Sequence, residues 1–128
     1  KAKKVYGIEI VPEAVETAKE NAKINNVDNI EFIVGDVEKA FKELIEVREI
    51  HPTAIIVDPP RRGLDATTMN KILDLEVNKF VYVSCNPATM VRDLKMLEEK
   101  YQVKKLQPVD MFPYTNSVEC VCVLQLKN

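Results

Sequence analysis

Short apolar runs alternate along this chain with longer stretches in which apolar residues return every third or fourth position. The runs predict strands and the longer stretches predict helices. Val5–Ile10 reads as a buried strand. Pro12 suits the first turn of a helix, whose face carries Ala14, Val15, Ala18 and Ala22 before Asn25-Asn26 end it. Ile30–Val34 is a second strand, closed by Gly35-Asp36, and Val37, Ala40, Phe41, Leu44 and Ile45 follow at helical spacing. Ala54–Val57 is a third, β-branched strand bounded by Asp58-Pro59-Pro60. A helix is expected from Asp65 to Leu75 and a fourth strand over Phe80–Val83. Asn86-Pro87 is a capping residue followed by proline. It opens a helix to about Lys100 with Met90, Val91, Leu94 and Leu97 on its apolar face.

The end of the chain differs. Val103–Val109 and Val118–Leu126 are two strands whose connection, from Asp110 to Ser117, is too short for a parallel crossover. They are therefore expected to pair antiparallel. Strand–helix units ending in such a pair predict an open α/β sheet with helices on both faces. With no repeat, linker or low-complexity segment, residues 1–128 read as one domain. Composition narrows the function. Hydrophobic residues are 46% and charged residues 30%, a globular balance. Lys+Arg is 18 against Asp+Glu 20, a net charge of −2, which argues against a polybasic nucleic-acid clamp. No apolar run is long enough to span a membrane, and the basic start Lys1-Ala2-Lys3-Lys4 lacks a signal core. Three cysteines without a CxxC pair, and a single His51, argue against a disulfide framework or a metal site and place the chain in a reducing cytoplasm.

An open α/β nucleotide domain carries a glycine-rich turn after its first strand. Here Gly7, Gly35 and Gly63 form no GxG, and the first strand already ends in an acid, Glu9. That acid belongs at the end of a second strand, so the chain is expected to begin one strand late. Ligands of such sheets bind outside the carboxyl ends of the strands. Glu9, Asp36, Asp58 and Cys85 all fall there. Glu9 is either a solvated acid or a partner for vicinal ribose hydroxyls, which a carboxylate can accept in pairs. Asp36 either accepts from an adenine amino group or caps the helix at Val37. Asp58 is held at the rim by two prolines that stop the strand. Arg61-Arg62 beside it suit a phosphate or are simply solvated. Cys85 ends a strand where a helix begins, a position that favours a thiolate. A small hydrophobe is the alternative. Cys120 and Cys122 alternate with valines in the last strand and read as core. Glu119 faces away from Cys120 on an otherwise apolar side, either at an edge or kept for acid/base work.

Asp58-Pro59-Pro60-Arg61-Arg62-Gly63, Phe80 to Thr89 with Ser84-Cys85-Asn86-Pro87, and Asp110-Met111-Phe112-Pro113 with Val118-Glu119 resemble, in order and spacing, the S-adenosylmethionine-dependent RNA (uracil-5)-methyltransferases. The likeness covers essentially the whole chain but only the C-terminal catalytic part of that family's usual protein. It implies a class I methyltransferase Rossmann-like fold lacking its first strand and glycine-rich turn. It implies S-adenosylmethionine as cofactor, with Glu9 on its ribose, Asp36 by its adenine and Asp58 in the cofactor and reaction site. It implies Cys85 as nucleophile, Glu119 as proton acceptor and RNA as partner. The wording around Cys85 and Asp110 looks closest to bacterial enzymes acting on 23S ribosomal RNA, in preference to transfer RNA. One departure stands out: the family's last motif has histidines where Tyr114 and Ser117 stand here.

The resemblance implies a reaction that needs these residue types. C5 of uracil is a poor nucleophile; a thiolate adding to C6 activates it, and a base must then remove the C5 proton. Two other classes are open. Amino-group methyltransferases also use Asp-Pro-Pro, but place an aromatic where Arg61 stands and need no Cys85. A non-catalytic fragment that only binds a partner is the third reading. A vacant central strand position would leave inner sheet edges unpaired, predicting a dimer or strand exchange.

Overall fold

A computed structural model describes residues 2–128. Backbone contacts divide them into two units, up to His51 and from Pro52 onward. In the first, β1 (Val5–Glu9), α1 (Pro12–Ile24) and β2 (Ile30–Val34) form a β–α–β crossover. The strands pair in parallel, Val5 opposite Ile30 through Glu9 opposite Val34. Pro12 opens α1, where its missing N–H costs nothing. Val15 is the buried anchor of that helix, with Ala18 and Ala22 half-buried beside it. Gly7 lies opposite Phe32, and a Cβ there would come 2.8 Å from the Phe32 ring. Glycine at this point lets the ring lie against the neighbouring strand.

The next helix departs from simple α periodicity. α2 (Val37–Phe41) runs into π-helical turns over Lys42–Val47, where the sequence pattern predicted continued α spacing. Ala40 and Leu44 stay buried across the change. The wider turns deliver Arg48 to the strands. Its guanidinium pairs with both oxygens of Glu31, at 2.6 and 3.1 Å, and lies 5.2 Å over the Tyr6 ring. Such a forked pair is geometrically specific, and it holds the Glu31 carboxyl below the usual carboxylate range.

The second unit contains β3 (Ala54–Val57), α3 (Ala66–Leu75), β4 (Lys79–Ser84), α4 (Pro87–Leu97), β5 (Tyr101–Val109) and β6 (Glu119–Leu126). The sheet order is β3–β4–β6–β5. β3 and β4 are parallel, β4 and β6 antiparallel, and β5 and β6 antiparallel with a bulge between Val103 and Lys105. The last two strands are thus antiparallel neighbours, as their short connection requires. The sequence did not show that β6 inserts between β4 and β5.

Alternation along β4 and β6 divides the sheet sharply. Phe80, Tyr82 and Ser84 lie opposite Leu124, Cys122 and Cys120, and all six are buried. Met69 and Ile72 of α3 and Met90 and Leu97 of α4 complete the apolar interior. The odd positions Val81, Val83, Glu119, Val121 and Val123 are only half-buried. α4 keeps most of the face its sequence suggests, with Met90 and Leu97 buried and Leu94 half-buried, but departs at one position. Val91 is exposed and Asp93 is buried in its place. A buried carboxylate requires partners, and Asp93 has them. Its Oδ2 accepts from the Tyr82 hydroxyl at 2.7 Å and from Leu64 N at 2.8 Å.

Burial and the Asp93 contact push the Tyr82 phenol above the ordinary tyrosine value, and burial does the same for Tyr101. A raised folded-state value means the stabilisation is complete below the unfolded pKa, near 10, and is lost as pH climbs above it. Urea unfolding should therefore weaken steeply from about pH 10 upward. Tyr82→Phe should flatten that fall, leaving the share due to Tyr101; an unchanged slope would contradict the assignment.

Candidate active site

Each unit places its candidate residues at the carboxyl rim of a parallel strand pair. In the first unit, Glu9 ends β1 and Gly35-Asp36 follow β2. Gly35 N donates to Glu9 O at 2.9 Å, so the two strand ends are tied together. The exposed Glu9 carboxylate accepts from Val11 N through Oε1 at 2.9 Å. Asp36 is the N-cap of α2: its Oδ1 accepts from Lys39 N at 2.8 Å. That bond holds its carboxyl below the usual carboxylate range. Of its two sequence readings, the capping bond is therefore made. An added Cβ at Gly35 would meet nothing within 4 Å, so the rim is open there.

In the second unit, Asp58 follows β3 and is exposed, while Cys85 follows β4 and is half-buried. The β4–β6 ladder ends with Ser84 opposite Cys120. Cys85 and Glu119 are the next residues beyond that pair, Cys85 just past the end of β4 and Glu119 at the start of β6. Ser84 and Cys120 are buried, whereas Cys85 and Glu119 are both half-buried. Cys120 and Cys122 are buried as expected, and burial pushes the Cys122 thiol up.

The Cys85 junction is tightly held. The Ser84 hydroxyl accepts from Asn86 N and reaches Asn86 O, each at 3.0 Å, bracketing the cysteine. Asn86 caps α4 by accepting from Ala88 N. The same helix end grips the Asp58–Gly63 segment. Asn86 Nδ2 donates to Arg61 O at 3.1 Å, and the Thr89 hydroxyl lies 3.0 Å from that same oxygen. Arg92 Nη2 donates to Arg62 O at 2.8 Å and to Asp93 Oδ1. Leu64 N completes the set on Asp93.

Gly63 fits this arrangement by lacking a side chain. Its φ is +82°, and a Cβ would collide with Asp93 Oδ2 and the Arg92 guanidinium. Gly63→Ala should cost about 3 kcal/mol, from left-handed strain and overpacking together. Thermal unfolding measures this, and a change below 1 kcal/mol would contradict it. The clamp of Asn86, Thr89, Arg92 and Asp93 is absent from the sequence reading. Its one outward sign is an acid at a core-facing helical position.

The connection between β5 and β6 carries an exposed aromatic tip. Phe112 is half-exposed, and Tyr114 is fully exposed with φ +65°. Thr115 Oγ1 bonds Phe112 O at 2.7 Å and accepts from Ser117 N, which fixes the turn just before Glu119.

The fold is that of the class I methyltransferases. The chain superposes with a TM-score of 0.77 on a Pyrococcus abyssi tRNA (uracil-54, C5)-methyltransferase solved with S-adenosyl-L-homocysteine. Identity is 38%, over 94% of this chain and 28% of that one. An rRNA methylase from Streptococcus thermophilus shares the fold alone, at 13% identity and a TM-score of 0.69, over 98% of this chain and 75% of that one. The sequence model of the tRNA (Uracil-5-)-methyltransferase family matches residues 1–127, and the chain belongs to that family. An uncharacterized RNA methyltransferase of Bacillus cereus is 54% identical over 127 residues, 98% of this chain. One from Listeria monocytogenes is 46% identical over 128 residues, all of this chain. The chain spans 28% of the length of each of these two relatives.

Proposed function

We propose that the protein carrying this chain transfers a methyl group from S-adenosylmethionine to C5 of a uridine in RNA, through a covalent bond between Cys85 and C6. What supports this reading is that Cys85, just past the end of β4, and Glu119, at the start of β6, both adjoin the last β4–β6 pair, Ser84 opposite Cys120.

Cys85 acts first. Its thiolate adds to C6, a C–S bond forms, and the ring's electron pair moves toward the O4 side, making C5 nucleophilic. S-adenosylmethionine, when bound, supplies a methyl group on a sulfonium as the electrophile for C5. Glu119 then takes the C5 proton, the C6–S bond breaks, and the thiolate is restored. The residues present fit the cofactor. Glu9 offers an exposed carboxylate for ribose hydroxyls, Asp36 stands beside the open rim at Gly35 for the adenine amino group, and Asp58 serves the cofactor and reaction site of its own unit. The target uridine has to leave its stack to reach Cys85.

We take 23S ribosomal RNA as the substrate on the likeness of the motifs around Cys85 and Asp110. Transfer RNA is the second reading, favoured by the Pyrococcus relative. The reducing cytoplasm, where such RNA lies, suits three free cysteines. Nucleoside analysis after reaction with ribosomal and transfer RNA tests the reading. 5-Methyluridine in one of them is expected. A methylated amino group, or no product, would overturn it.

Self-association of the 128-residue chain is also proposed. Among the described residues β1 pairs only with β2 and β3 only with β4, so each has an open edge. Light scattering should show a dimer or larger species, and a monodisperse monomer would contradict this.

A further inference from the structure

Arg61 and Arg62 are the two corner residues of a β-turn closed by Gly63 N donating to Pro60 O at 2.8 Å. The inward side of this turn is fully engaged. The Arg61 carbonyl is held by Asn86 and Thr89, the Arg62 carbonyl by Arg92, and the Leu64 N–H by buried Asp93. Both arginine side chains are exposed. Among the described residues neither guanidinium has an ion-pair partner, whereas Arg48 and Arg92 are both paired with carboxylates. The turn is therefore a rigid mount that presents two adjacent, uncompensated guanidiniums. It is bonded directly to Asn86, the residue after Cys85.

We propose that Arg61 and Arg62 grip backbone phosphates of the RNA substrate beside the nucleotide that enters at Cys85. Guanidinium forks match phosphate oxygens in geometry. A mount fixed before binding spares the entropy of ordering the loop. The site also resolves a tension in the composition. With a net charge of −2 these 128 residues offer no bulk attraction for RNA, so a phosphate contact made by them has to be local. The inference rests on the RNA methyltransferase reading for the class of ligand. An anionic group of the cofactor is the other source of the same chemistry, and the test separates the two.

The full-length protein is titrated with labelled single-stranded, uridine-containing RNA across a range of salt, as wild type, R61Q/R62Q and K104Q/K105Q. The second double variant removes the same charge from exposed β5 positions. Each single-strand phosphate contact adds about 0.7 to the slope of log K against log salt. R61Q/R62Q should therefore flatten that slope by about 1.4, with cofactor affinity by calorimetry unchanged and K104Q/K105Q like wild type. The carbonyls that seat the turn remain in the variant, so folding is preserved. An unchanged slope, an equal loss in both variants, or a loss of cofactor affinity alone would overturn the proposal. Mass spectrometry of Cys85 keeps the two readings apart. A uridine-linked Cys85 with an unchanged slope sinks the phosphate grip only. A flattened slope without 5-methyluridine or linkage sinks the uracil-5 reading and leaves the grip standing.

Discussion

Methyl transfer to uracil is expected to vanish when Cys85 is replaced by alanine, by roughly 10⁴-fold or more in rate, as for other enzymes stripped of their nucleophile. The reason is chemical rather than structural. Without a bond to C6, C5 of uracil keeps its low electron density, and no positioning of the methyl donor compensates for that. The fold should survive. Cys85 is half-buried at a strand–helix junction whose bonds are made by Ser84 and Asn86 on either side, so stability should change by less than about 1 kcal/mol. An amino-group methyltransferase would be indifferent to this substitution. Steady-state transfer of labelled methyl groups to RNA, with circular dichroism to verify folding, decides between the two. Retained activity in a folded Cys85→Ala protein would exclude the covalent route.

The second large effect is expected at Asp93. Its carboxylate is 1% exposed and gathers Tyr82, Leu64 and Arg92 from three separate parts of the unit. Asp93→Ala strands a buried phenol and a backbone N–H, and removes the counter-charge of Arg92. Breaking a buried, hydrogen-bonded charge in this way costs ~3–5 kcal/mol. Asp93→Asn keeps one acceptor oxygen and should lose less. Combined with Tyr82→Phe, the alanine change should cost less than the sum of the two, because both remove the same bond. Urea unfolding supplies all of these values. A loss below 1 kcal/mol for Asp93→Ala would show that the clamp does not hold the turn.

Most strands were readable because they are short apolar runs; β5, polar and exposed over most of Tyr101–Val109, starts two residues before the expected Val103. The rim candidates were readable for the same reason. Glu9, Asp36, Asp58 and Cys85 are the first polar or reactive residues after a strand, where a parallel sheet opens. What escaped the sequence depends on partners far along the chain. The insertion of β6 between β4 and β5 is a choice of pairing that no local pattern encodes. The π turns at Lys42–Val47 precede Arg48, whose partner Glu31 lies 17 residues back along the chain, so the local pattern could not show them. On α4 only Val91 was misplaced, because Asp93 reads as a surface residue until Tyr82 and Leu64 are placed beside it. The carbonyls of Arg61 and Arg62 carry no sequence identity at all, so the clamp that seats them was invisible. Gly63 offered a second hint beside Asp93, a glycine after two arginines whose left-handed backbone leaves no room for a side chain.

Mass spectrometry of the protein after incubation with cofactor and an RNA carrying 5-fluorouridine tests the account most directly, since a fluorine at C5 cannot be removed as a proton by Glu119 and should trap the bond to C6. The peptide containing Cys85 is predicted to carry the nucleotide, while those containing Cys120 and Cys122 remain unmodified. No linkage at Cys85 in a preparation that forms 5-methyluridine from ordinary RNA, or linkage at a different cysteine, would contradict it.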